Sequence, residues 1–332
     1  MGRIVAKLRQ AFAEAIQAIG SKRLEHKNKA ADQQWPAKSR QMSKTGMNRT
    51  GVHANFPGAV LRALYVGGLV MLPALLVPAV TSELAQLMVL LALFAGAVVF
   101  AEYSSDYPGI IEFRFAAPYN RTRFLLVVLM VLSLSLLLRG EAMPGEPGAL
   151  AALATGIAAA CGQLLDFAVS PVRLLIASLP EGLPEAHLVQ LRDGAALALV
   201  LGLTTVLGFI AAIRLNLWPM GQTPFNVWIN LPTFDPTAGN DVVERLLRTA
   251  RVNILLGLVL PFLLPGLIMA SAVLVQPLTL ESPMGFVWGI VLWAYLPVSL
   301  MMRGVAMIRV ARMIRANRRR FADSEGNAFV TI

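Results

Sequence analysis

Residues 101–124 read AEYSSDYPGIIEFRFAAPYNRTRF and hold the groups of this chain best suited to recognition chemistry. Glu102, Asp106, Arg114, Tyr119, Asn120 and Arg121 can all hydrogen-bond, and three of the five tyrosines (Tyr103, Tyr107, Tyr119) fall in the same stretch. Arg114 and Arg121 would offer planar forks of donors to an anionic group, with Glu102 or Asp106 as acceptors. Long connections are often functional. The same residue types also gather wherever membrane helices meet headgroups, and Pro108, Gly109 and Pro118 break helices without any ligand. Two readings follow: a binding surface made of these six residues, or interface chemistry alone.

Elsewhere the sequence is poor in reactive groups. It has no GxxxxGK[ST] phosphate loop, no HExxH, no GxSxG and no acidic cluster suited to magnesium. Cys161 is the single cysteine and cannot form an internal disulfide or a thiolate metal site; His26, His53 and His187 are scattered. No catalytic residue, cofactor or metal ligand is predicted.

The elements that must position the 101–124 stretch are membrane spans. Hydrophobic residues make up 56% of the 332, charged residues only 14%, and mean hydropathy is +0.64. Soluble domains run at roughly 45–50% apolar and about 25% charged. The expected fold is therefore an all-α polytopic membrane protein. Six runs are long enough to cross roughly 30 Å of hydrocarbon: 59–80, 84–101, 124–138, 194–213, 252–275 and 284–302. The third is short, and Arg121, Arg123 and Arg139 at its ends predict a helix that extends past its apolar core by snorkelling. A seventh run, 149–165, is mostly alanine and ends at Asp166, so its insertion is weakly driven.

Charge selects six spans with both termini cytoplasmic. On that map the inner segments 1–58, 102–123, 214–251 and 303–332 carry twenty-five lysines and arginines, against Arg139, Arg173 and Arg192 outside. That asymmetry is the positive-inside bias, and it points to a bacterial inner membrane. Seven spans would put the arginine-rich tail outside. The remaining external segment, 139–193, is unusually apolar and is expected to be an interfacial or re-entrant hairpin, with Phe167 to Pro180 as its second arm. Gly148, Ala152, Gly156 and Ala160 would give its first arm a smooth packing face.

Three regions result: a basic N-terminal region 1–52, a membrane domain 53–302 and a basic tail 303–332. In the first, Arg3 to Ile19 predicts an amphipathic surface helix, and 20–52 is too polar to fold alone. In the tail, Arg309, Arg312, Arg315 and Arg319 form a stripe that anionic headgroups would attract; beside membrane spans, lipid is a simpler partner than nucleic acid. NDVVERLLRTARV predicts an elbow helix along the membrane before the fifth span, capped by Asn240 or Asp241. A membrane-protein partner or a second copy of the chain would also fit these surfaces.

Three function classes fit. A scaffold, assembly or regulatory factor acting through the cytoplasmic surface accounts for the basic termini and leads. A channel or transporter would use helices broken at Pro73, Pro78, Pro261, Pro265 and Pro297. The near absence of ionisable residues at span centres counts against an intramembrane proton relay. An integral-membrane enzyme is third, since the loop supplies acids and arginines but no His or Cys constellation.

Overall fold

The computed structural model describes residues 56–78, 80–105, 109–142, 148–219, 227–234, 241–271 and 280–330. The amphipathic helix and polar stretch expected within 1–52 lie outside these residues. The described chain forms nine helices and no strand: α1 (Phe56–Leu76), α2 (Ser82–Ser104), α3 (Tyr119–Ala142), α4 (Ala149–Leu164), α5 (Pro171–Ala177), α6 (Glu185–Arg214), α7 (Val227–Asn230), α8 (Val242–Ser271) and α9 (Pro283–Val330). Six of them, α1, α2, α3, α6, α8 and α9, are long and apolar enough to cross a membrane. Leu93, Phe94 and Leu75 are 67–70% exposed on this surface. Such a belt is stable only against lipid. The chain is a multi-pass integral membrane protein.

The six helices alternate in direction. At one end the start of α1, the ends of α2 and α6, the starts of α3 and α8 and the second half of α9 meet, joined by Arg303 to Glu112, Arg309 to Asn216 and Arg318 to Asp241. At the other end Arg139 donates to the carbonyl of Leu76, and Arg173 and Arg192 pair with Asp166. Those three are the only described arginines there. The helices α3, α6 and α9 form the centre. Leu126, Met130, Leu134 and Leu137 on α3 and Ile290, Ala294, Val298 and Met302 on α9 recur every three or four residues, and all are buried. Lipid is as apolar as leucine, so close packing rather than exclusion from water holds these helices together.

Several elements are longer than their apolar patterns. The third span begins at Tyr119 and ends at Ala142, as its flanking arginines predict. The expected elbow before the fifth span is corrected: Val242 to Ser271 is one helix. Val243, Leu246 and Ala250, on its apolar face, are buried in the protein and lead straight into the span without an intervening Gly or Pro. The tail likewise continues the sixth span as part of α9, with Val310 and Ala311 still buried.

Of the prolines expected to break spans, Pro78 lies in the turn just past the end of α1, and the other four do not interrupt a helix. Pro73, Pro261, Pro265 and Pro297 lie inside continuous helices. Proline at 265 removes the N–H that would bond the carbonyl of Pro261, and Trp293 Nε1–H of α9 donates to that oxygen instead, at 3.3 Å. In the 139–193 segment, α4 packs against α3 and α6 through Ala151, Ala154, Ala158 and Cys161. The face expected to pack, Gly148, Ala152, Gly156 and Ala160, is the exposed one. Ser170 caps α5, accepting from Val172 N at 3.1 Å, and Pro171 opens it.

Candidate functional site

The connection from α2 to α3 is held by its own polar groups. Glu102, in the last turn of α2, turns its carboxylate back so that Oε1 accepts N–H bonds from Gly109, Ile110 and Ile111 at 2.9, 3.0 and 3.0 Å. These three bonds explain a carboxylate that is only 8% exposed. Arg114 donates to the carbonyls of Glu102 and Ser105 and stacks on Phe115. Asn120 donates to the carbonyl of Glu112 at 2.8 Å. Tyr119 is buried in an aromatic cage with Phe113, Phe209 and Trp218, and Trp218 Nε1 donates to the carbonyl of Ala116 at 2.9 Å. Phe113 takes a left-handed conformation, φ 55°, which a bulky residue adopts only when its surroundings hold it there. Its ring in the cage and its N–H on the carbonyl of Asn230 are that hold.

Of the six residues singled out in the sequence, Glu102 and Arg114 are thus turned onto the connection's own backbone. Asp106 lies outside the described residues. Tyr119, Asn120 and Arg121 line a cleft of about 850 Å³ between the α1–α2 hairpin and the α3–α9 pair. The exposed member of the three is Arg121.

The cleft's other polar groups come from helices far apart in sequence. Arg62 of α1 sits over the ring of Tyr103, 4.6 Å from its centre, and donates to the carbonyl of Gly58. Arg123 of α3 donates to Ser299 Oγ at 2.7 Å and lies 5.5 Å from the ring centres of Tyr119 and Tyr295, while its Nε is buried with no hydrogen-bond partner. Arg303 of α9 makes a forked pair with Glu112, 2.6 Å from Nε to Oε2 and 2.7 Å from Nη2 to Oε1. Below these groups the walls are apolar: Val66, Leu69, Phe124 and Val127.

Compared with protein families, curated proteins and solved structures, the chain matches none of them. The reading of the site therefore rests on its geometry.

The charge balance is decisive. Glu112 neutralises Arg303, but among the described residues Arg62, Arg121 and Arg123 have no carboxylate within ion-pair distance. Three guanidinium groups face one cleft beside tyrosines and a serine hydroxyl. Such a constellation can offer an anion paired, charge-assisted hydrogen bonds from each guanidinium.

The sequence carried part of this. Tyr295, Ser299 and Arg303 repeat every four residues, and Arg62 and Leu69 bracket Tyr65 on one face of α1. Each stripe is visible alone. That they face each other is a tertiary fact. Arg121 and Arg123 read as anchors of a short span, which hid the inward turn of Arg123 toward Ser299.

Proposed function

We propose that this chain is a non-enzymatic assembly or regulatory factor of a cell membrane, of the bacterial inner-membrane kind, that recognises an anionic group at its cytoplasmic surface. The observation that carries the reading is the convergence of Arg62, Arg121 and Arg123 on a cleft where, among the described residues, the lining carboxylate of Glu112 is paired with Arg303 and none lies within ion-pair distance of the three. The cytoplasmic placement of that end and of both termini is supported by charge: all described arginines but Arg139, Arg173 and Arg192 belong to it. On the tail, Arg312, Arg315 and Arg319 are exposed and available to anionic headgroups, while Arg309 is engaged with Asn216.

The groups around the cleft support binding rather than turnover. They are cations, phenols, a hydroxyl and a carboxylate already gripped by Arg303. The channel reading is weakened by spans that stay helical across their prolines, with the carbonyl of Pro261 satisfied by Trp293.

The test uses the full-length protein in a neutral detergent, with its unfolding midpoint followed as inorganic phosphate, pyrophosphate and a short-chain phosphatidic acid are added. At least one of these anions raises the midpoint of the wild type, and the triple variant Arg62→Gln, Arg121→Gln, Arg123→Gln does not respond. No response to any of them in the wild type, or the same response in the variant, removes the anion-recognition reading. Reporter fusions after Ala238 and Asn327 reporting the cytoplasm, and after Gly145 and Pro184 the opposite side, check the sidedness independently.

A further inference from the structure

Resting on the anion-recognition reading, we infer that the occupant of the cleft is a membrane lipid ending in a phosphate monoester or diphosphate, drawn sideways from the leaflet at the arginine-rich end. The first support is shape. On α1 the lining runs from Gly58 to Leu69, eleven helical steps and about 16 Å of helix. That is roughly half the depth of a bilayer's hydrocarbon. Over this length the lining changes from Arg62, Arg121 and Arg123 to Val66, Leu69, Phe124 and Val127. A small hydrophilic anion would leave the lower half unfilled, whereas a lipid puts its phosphate at the arginines and a chain along the apolar wall.

The second support is access. Leu61 and Tyr65 both line the cleft and are nevertheless 48% and 56% exposed, so its wall is open along the side of a membrane-spanning helix. What lies beside such an opening is lipid. The volume of about 850 Å³ is within the roughly 300–1,000 Å³ of small-ligand sites. It suits a headgroup and the upper part of a chain, the remainder staying in the bilayer.

The third support is charge. A chain that moves from lipid onto an apolar protein wall gains little, so discrimination must come from the headgroup. A phosphodiester headgroup brings one negative charge, whereas a phosphate monoester carries about −1.5 to −2 at neutral pH and three strong acceptor oxygens. Three guanidinium groups with no ion-pair partner among the described residues, one with a buried Nε that has no hydrogen-bond partner among them, match the second.

The experiment reconstitutes the full chain in nanodiscs of neutral lipid doped with phosphatidic acid or with phosphatidylglycerol and counts lipids retained by native mass spectrometry, with inorganic phosphate and pyrophosphate as soluble competitors. Phosphatidic acid is expected to be retained at least about tenfold more tightly than phosphatidylglycerol. That preference should vanish in Arg121→Gln and in Arg123→Gln. It should persist in Arg248→Gln, which removes the same charge from an exposed position on α8 that does not line the cleft. Equal retention of both lipids, or equal loss in Arg248→Gln, overturns the inference. Inorganic phosphate competing as well as the lipid preserves the anion site but removes its lipid occupant. If neither lipid nor phosphate binds, both readings fall together.

Discussion

Two antiparallel helix pairs in this protein are built on the same device and differ in how hard it is pressed. In α8–α9, a methyl group added to Gly257 or Gly304 would lie 2.7 Å from the opposing carbonyl oxygen of Pro297 or Ala250. In α1–α2, the same addition at Gly67 or Gly96 would lie 3.4 or 3.3 Å from Ala92 or Ala63 oxygen. The surroundings differ in the same sense. The apolar stretches of α9 and α8 are 50% and 22% buried inside the protein, against 11% for each of α1 and α2. One pair belongs to a rigid frame and the other is a hairpin set on the frame's edge. The arginine cleft is the seam between that hairpin and the α3 and α9 of the frame, so the groups that line it on one side belong to the less deeply seated pair.

The largest expected effect lies in the frame. Trp218 is completely buried, closes the aromatic cage on Tyr119 and Phe209, and hydrogen-bonds the connection between α2 and α3. Trp218→Ala should cost about 3–5 kcal/mol, the usual range for removing a fully packed tryptophan. Its unfolding midpoint in detergent should fall sharply. A loss as small as that of a lipid-facing substitution, such as Leu93→Ala on α2, would mean that frame and hairpin are not the distinct regions described.

The glycines test the comparison directly. Gly304→Ala forces α8 and α9 apart, since its new methyl meets both the Ala250 carbonyl and Ile254, and should cost about 1–3 kcal/mol. Gly96→Ala meets one carbonyl at a distance that a few tenths of an ångström relieve, and should cost less than about 1 kcal/mol. Equal losses in the two variants would show that α1–α2 is seated as firmly as α8–α9.

What could be read beforehand divides along the same seam. Hydropathy and charge depend only on neighbouring residues, and they were enough for the class, the six spans and their alternation. Helix continuity was harder. The run from Val242 to Ala250 is amphipathic, and amphipathicity looks alike whether the apolar face meets lipid or α9. The face of α4 was misplaced for the same reason: alanines and glycines occupy both of its sides, so nothing local shows which side meets α6. In the connection, Arg114 and Arg121 are chemically identical and seven residues apart, yet one secures two backbone carbonyls while the other lines the cleft. The difference arises from the turn at Phe113 and the helix start at Tyr119, both set by the aromatic cage. Accordingly Arg114→Ala should lower stability by about 1–2 kcal/mol, and Arg121→Ala should change it by less than about 0.5 kcal/mol while weakening anion binding. Matching stabilities for the two would return them to one class.

The smallest effect concerns where the frame ends along α9. Beyond Ala311 Met313 and Ile314 still rest partly buried against the core, Arg312 and the residues from Arg315 to Arg320 are exposed, and the ion pair to the start of α8 joins Arg318 Nη1 to Asp241 Oδ1 at 2.7 Å. The Arg318 hydrogen bond, followed by the N–H of Val243, holds the Asp241 carboxyl below its ordinary range. Its folded-state pKa is therefore depressed, and whatever stability the pair contributes is present above the ordinary carboxylate pKa and is lost as pH falls through the lower, folded value. Both side chains are about half exposed, so the contribution is screened by solvent and salt. Asp241→Asn should leave the unfolding midpoint at neutral pH nearly unchanged. The slight deficit that remains should shrink on acidification, as the pH falls below the ordinary carboxylate range toward the lower, folded value. Hydrogen exchange in residues 312–320 is the sensitive readout, and it should quicken in the variant at neutral pH. A large fall in midpoint instead would mean that the frame extends past Ala311 and that the arginine stripe is part of the packed protein rather than a surface free to meet headgroups.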